Sequence, residues 1–347
     1  MCITADEAGL ASGDTGDADA MMRPVWEDNL MDAIELDSLM MIDECDGCSM
    51  EWPMAVKGSF FLEVYSGEGV FTMAMIEVQV PCIKPWDSRY GEQYDVLKEG
   101  FVLIRLAEAR RIGASHLGSP CQSLTWARFP QLRTARHPEG RPGLRGHQQT
   151  LVDVGNELTV FTVRFCVAMY VAASFFFVEN PDLSWFWVLK HVLALCSLSG
   201  VAFVRFRFRE YGAEYNKTAL VVHNSPTLHE LARQKLPDGQ VKIRGFCWWE
   251  GKVVFKSHLT QAYTPDMARA FATCTQGAMA IKELAEERGE PVPMAEAIND
   301  HGLPAAIIHS GAVVMFDTAE RTRDEEEWLV TRAWDFTHEI WAANDCC

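Results

Sequence analysis

"SFFLEVYSGEGVF", residues 59–71, decides the fold. An apolar run of strand length closes on a Gly67-x-Gly69 turn and leads into a second apolar stretch. A strand, a glycine turn and a helix in that order let backbone approach a nucleotide-like ligand. Working outward, the same alternation repeats. "IEVQVPCI" (76–83) reads as a strand and "DVLKEGFVLIRLAEARR" (95–111) as a helix, followed by "GASHLGSP" (113–120) as a short strand. Residues 148–172 read as a long helix, "SFFFVENP" (174–181) as a strand and 184–198 as another helix. "GVAFVRFRFREYG" (200–212) alternates apolar and basic residues as a half-exposed strand does, and "KTALVVHN" (217–224) is one more strand. Residues 240–258 read as a hairpin turning at Glu250-Gly251, and a helix over 265–287 starts at Pro265 with Thr264 as its cap. This βαβα order predicts an α/β fold: a doubly wound, mostly parallel sheet with helices on both faces, Rossmann-like.

Around that core the composition divides the chain in three. Residues 1–55 form an acidic N-terminal extension, partly disordered, with a weak amphipathic helix near 25–50; residues 289–347 form an acidic C-terminal extension. The intervening 56–288 is the expected catalytic domain, with a reduced recognition region near 224–260. The net charge of −17 is unevenly spread: residues 1–99 hold 5 Lys and Arg against 21 Asp and Glu, residues 100–260 hold 20 against 11. The middle is therefore basic. Its arginines crowd one loop (Arg128, Arg133, Arg136, Arg141, Arg145), which suits a phosphate backbone, although a solvated mixed surface has the same composition. The 11 cysteines are scattered, several inside apolar runs, which fits reduced thiols in an intracellular setting rather than a disulfide framework. Cys45 and Cys48 form a lone CxxC, and no metal site is expected. An acidic N-terminus fits no secretory signal, and no segment reaches 18 uninterrupted apolar residues.

Three short segments carry residues suited to chemistry. Asp87 lies twenty residues past Gly67, where a nucleoside-binding fold places an acid on ribose hydroxyls; Trp86 beside it is suited to stacking on an adenine ring. A capping aspartate and a half-buried tryptophan would look the same. In "HLGSPCQSLTWAR" (116–128), Cys121 follows a strand end and precedes a basic loop, and nearby arginines would favour its thiolate. Glu179 in "FFFVENP" ends another apolar strand, as either a paired structural acid or a proton donor.

In this order the segments resemble the cytosine-C5 DNA methyltransferase family. "FLEVYSGEG" is similar to the family's cofactor motif, "PWD" to its ribose-contacting segment and "YDVL" to its adenine-contacting aspartate. "GSPCQSLTWAR" resembles the Pro-Cys-Gln motif with its mobile loop, "FFVENP" the Glu-Asn-Val motif, and "REYGAEYNKTALVV" the late Tyr-Gly block. The resemblance spans roughly 59–223. It implies methyl transfer from S-adenosylmethionine to C5 of a flipped cytosine, with Cys121 as nucleophile at C6 and Glu179 as the acid at N3. It further implies a cofactor site at Tyr65, Ser66, Gly67, Gly69, Trp86, Asp87, Asp95 and Pro120. Substrate contacts would come from Gln122, Ser123, Arg128, Arg133, Asn180 and Lys217. Where the family's late motif carries Gln-x-Arg-x-Arg, this chain has Tyr215, Lys217 and Ala219, and Pro181 follows Glu-Asn. The implied partner is nucleic acid, DNA ahead of RNA, in an intracellular protein, nuclear if eukaryotic. Two alternatives stay open: a tRNA or other RNA cytosine-C5 methyltransferase, and a cofactor- or nucleic-acid-binding descendant without turnover.

Overall fold

The computed structural model describes residues 59–126, 128–232, 246–249, 251–255 and 262–295. The acidic extension 1–55, the Cys45–Cys48 pair and most of 289–347 lie outside the described residues, as does much of 224–260. A five-stranded mixed sheet organises the rest, built from β1 (Phe60–Val64), β2 (Ile112–Gly118), β3 (Phe175–Pro181), β4 (Ala202–Arg207) and β5 (Thr218–His223) in the order β1-β2-β3-β5-β4. β1, β2 and β3 are parallel neighbours; β5 runs against both β3 and β4, so four of the five strands point one way. The reversal has a local cause. The ten residues 208–217, beginning with a turn over Phe208–Tyr211 and Gly212, join β4 to β5, and a link shorter than about a dozen residues favours antiparallel pairing over a parallel crossover.

Helices cover both faces. α1 (Val70–Glu77) and α5 (Pro265–Arg288) pack on one, α2 (Val96–Glu108), α3 (His147–Val171) and α4 (Lys190–Cys196) on the other. The strands divide their side chains by the two-residue period. Phe60, Leu62, Val64, Phe176 and Val178 join the core under α2 and α3, while Phe61, Phe175 and Phe177 join the core under α1 and α5. α3 is long and apolar enough to cross a bilayer by length and composition, yet Val160, Val163, Phe165 and Val167 are enclosed in the core. Close helix contact explains Gly100 in α2, where a Cβ would come within 2.4 Å of the Phe161 ring.

Most expected elements form, with three differences. "IEVQVPCI" makes no strand: Ile76 and Glu77 end α1, and only isolated parallel bridges, Phe61 to Cys82 and Val64 to Trp86, run beside β1. Pro81 and Pro85 remove two ladder donors there, which reduces the pairing to fragments. The helix over 184–198 is interrupted at Leu189, whose extended backbone separates a 3-10 turn at Trp185–Val188 from α4. The half-exposed strand over 200–212 ends at Arg207. The hairpin forms as β6 (Phe246–Trp249) and β7 (Lys252–Phe255), turning at Gly251.

Candidate active site

Parallel strands that share a direction bring their carboxyl ends to one edge, where open α/β sheets bind ligands. Here that edge gathers Tyr65 to Gly69 after β1, Ser119 to Cys121 after β2, Glu179 to Pro181 at the end of β3, and Lys217 just before β5. Gly118 and Glu179 are register partners. Segments more than fifty residues apart in sequence thus meet.

At the β1 end, Tyr65, Gly67 and Gly69 all take positive φ, a geometry suited to the two glycines. The Tyr65 hydroxyl donates to Leu158 O (3.0 Å), and Ser66 N donates to Trp86 O (3.3 Å). Gly67 N donates to Asp87 Oδ2 (2.9 Å), while Asp87 Oδ1 accepts from Arg89 N (3.0 Å) and Arg89 Nε (3.3 Å). The Tyr90 hydroxyl donates to Gly67 O. The expected ribose acid is therefore tied to the glycine turn. Trp86 corrects the expectation of an adenine platform: only 1% exposed, it packs edge-on to Tyr94 in the core, and no face is left for a base. Asp95 caps α2, accepting from Leu97 N (3.0 Å).

A carboxyl not singled out from the sequence lies beneath this turn. Glu63 is fully buried in β1; its Oε2 accepts from Thr72 N (2.8 Å) and Thr72 Oγ1 (2.7 Å), and Oε1 has no partner. Burial pushes its pKa up to about 7, against the lowering effect of Thr72. Its β2 register partner, His116, is equally enclosed with both ring nitrogens unpartnered, and burial holds it down to about 3. An ionisable residue inside an apolar strand was the signal that could have found both.

Cys121 is half-buried behind Pro120, itself half-buried, and its carbonyl accepts from Leu124 N (3.0 Å) and Thr125 N (2.9 Å), closing a tight turn. Asn180 Nδ2 donates to Ser119 O (2.9 Å) and fixes the chain one step before Pro120. Burial raises the Cys121 thiol above its ordinary value; Lys217 pulls it down and Glu179 pushes it up. The cation that favours a thiolate is thus Lys217, not the arginines of the loop. Lys217 Nζ itself lies over the Phe208 ring, 4.4 Å from the centroid. Glu179 is buried; its Oε2 accepts from the Tyr263 hydroxyl (3.1 Å) and its Oε1 has no partner.

Several expected substrate contacts turn inward instead. Arg133 is fully buried and spends its guanidinium on Ser123 O (3.0 Å), Ser123 Oγ (3.0 Å), Pro138 O (2.7 Å), Asn156 Oδ1 (2.7 Å) and Val152 O (3.1 Å). Arg133 and Ser123 are therefore staples of the loop, and neither reaches a phosphate. Asn180 is enclosed as well. The loop root is anchored rather than free: Trp185 N donates to Leu124 O (2.8 Å) and Trp126 packs on Trp185 at 4.7 Å. Gln122, Arg136, Arg141 and Arg145 remain exposed, Arg128 is half-exposed, and Phe129 beside it is 89% exposed.

Tyr263 is a further residue the sequence reading missed, because "YTPDMARAF" shows only a helix start. Cys82, Cys166 and Cys196 are buried thiols raised by burial, and Cys274 is buried as well. Comparison with protein-family models and with curated proteins finds no match to this chain.

Proposed function

We propose that this chain is an S-adenosylmethionine-dependent methyltransferase acting at C5 of cytosine in DNA. One observation carries the reading: Cys121, just after β2, and Glu179, in the neighbouring parallel β3, whose ends pair as Gly118 and Glu179, share a sheet edge with the Gly67–Gly69 turn. A partly exposed thiol with a cation nearby and a buried carboxyl with one free oxygen are the two protein groups that addition to cytosine requires.

The residues at the β1 end fit the cofactor in part. The left-handed turn carries no side chain at Gly67 or Gly69, and Glu63 in the strand before it has a buried, unpartnered oxygen. When bound, S-adenosylmethionine supplies an electrophilic methyl group. The chain's own residues do the rest. Glu179 delivers its proton to N3 of the ring, which makes C6 electrophilic. The Cys121 thiolate adds to C6 and passes electron density to C5, the atom to be methylated. Loss of the C5 proton to water, return of the N3 proton to Glu179 and expulsion of the thiolate then restore the aromatic ring and the enzyme. Lys217 favours the thiolate and offsets part of the effect of burial and Glu179, which together keep the Cys121 thiol above its ordinary value. The exposed arginines at 136, 141 and 145 supply phosphate contacts.

A second reading, a binding protein without turnover, is favoured by one observation: both Asp87 oxygens are already engaged by protein N–H groups. The test is transfer of tritiated methyl to DNA and to structured RNA. Label in DNA cytosine is expected. Label in RNA alone would overturn the DNA substrate, and cofactor binding without label would select the second reading.

A further inference from the structure

We propose that Tyr263 is the positioning residue of Glu179, holding Oε2 so that Oε1 is the oxygen presented to the base. This deepens the methyltransferase reading and rests on it. Tyr263 comes from outside the sheet, on the segment that starts α5, and two bonds hold that segment in place. Thr264 Oγ1 donates to Tyr211 O (2.6 Å) and accepts from Met267 N (3.3 Å), which ties the helix start to the turn between β4 and β5. The ring is clamped between aromatics, with Phe71 at 4.4 Å and Phe208 stacked at 6.0 Å between centroids. A phenol so fixed has little freedom left to lose when its hydroxyl meets Glu179 at 3.1 Å.

Gly118 makes room for the contact. It is the register partner of Glu179, and a Cβ there would lie 3.3 Å from the Tyr263 hydroxyl and 3.3 Å from Tyr65 O. The missing side chain is the space through which the phenol reaches the carboxylate. Burial keeps the Tyr263 hydroxyl protonated, so it acts as donor and Glu179 Oε2 as acceptor. Glu179 then has one oxygen saturated by protein and one buried without a partner. A carboxyl free to turn would present either oxygen; this one presents Oε1. Tyr263 does not touch the base, and acts only through Glu179.

The test is a double-mutant cycle on methyl transfer with Tyr263→Phe and Glu179→Gln. Tyr263→Phe is expected to lower kcat about 10- to 100-fold with KM for cofactor and for DNA unchanged, as loss of acid placement does. In the Glu179→Gln background it is expected to cost nothing further. Gly118→Ala, which presses on the hydroxyl while keeping it, covers the case in which Tyr263→Phe fails to fold; its kcat loss should likewise vanish in the Glu179→Gln background. Full activity of Tyr263→Phe, or an equal loss in both backgrounds, would overturn the positioning role and leave the methyltransferase reading standing. A wild-type protein that transfers no methyl would overturn both.

Discussion

Arg133 shows how far residue type alone can mislead. An arginine in a basic loop reads as a phosphate contact, but this one is buried with its guanidinium divided among five acceptors. Sequence reports the charge and not the direction in which the loop folds back. Arg133→Ala would strand several buried acceptors, each costing about 1–3 kcal/mol, for an expected loss on the order of 3–5 kcal/mol in urea unfolding. Arg136→Ala and Arg145→Ala should leave stability within about 0.5 kcal/mol. Each should instead weaken DNA binding and flatten its salt dependence by about one unit of slope. Equal destabilisation by all three would refute the division. Glu63 gives a second prediction at this scale. Its folded pKa, about 7, lies above the ordinary 4.5, so the folded state holds the extra proton between those values. Stability from this group is present below pH 4.5 and falls as pH rises to about 7, by on the order of 3 kcal/mol. His116 and His191, both lowered to about 3 from 6.5, act in the opposite sense and lose stability as pH falls through that window. Glu63→Gln should therefore gain on wild type between pH 5 and pH 8 in urea midpoints; a constant difference would contradict the buried, protonated acid.

At the scale of elements the strands were the most legible part. β1, β2, β3 and β5 are apolar runs bounded by glycine or proline, and Thr264-Pro265 announces α5. The second strand failed because periodicity does not register the donors lost at Pro81 and Pro85. Cys121 and Glu179 were legible because a reactive residue ending an apolar run marks a sheet edge. Tyr263 was not, since its reach depends on how α5 docks. Helix packing also supports the Cys121 turn. A Cβ at Gly155 in α3 would come within 2.2 Å of Ser123 Oγ and 3.2 Å of Arg133 Nη2. Gly155→Ala is expected to displace the turn two residues after Cys121, costing about 1–3 kcal/mol of stability. Alkylation of Cys121, followed on its own peptide by mass spectrometry, should change with it. An unaltered alkylation rate would show that α3 does not brace the turn.

For the whole molecule, the two hydrophobic cores on either face of the sheet leave its carboxyl edge as the place where Cys121, Glu179 and the Gly67–Gly69 turn meet. The α/β layering was readable from the alternation of elements, whereas the reversed β5 followed from the short β4–β5 link, a matter of chain length rather than apolar pattern. The same layering places a thiol, an acid and a glycine turn in one locale without any of them being neighbours in sequence. Whether that convergence is catalytic is tested most directly by incubating the protein with S-adenosylmethionine and DNA containing 5-fluorocytosine, then sequencing the denaturation-resistant conjugate by mass spectrometry. The account predicts a covalent DNA adduct on the Cys121 peptide, abolished by Cys121→Ser; cofactor binding without any adduct, or an adduct that survives Cys121→Ser, would contradict it.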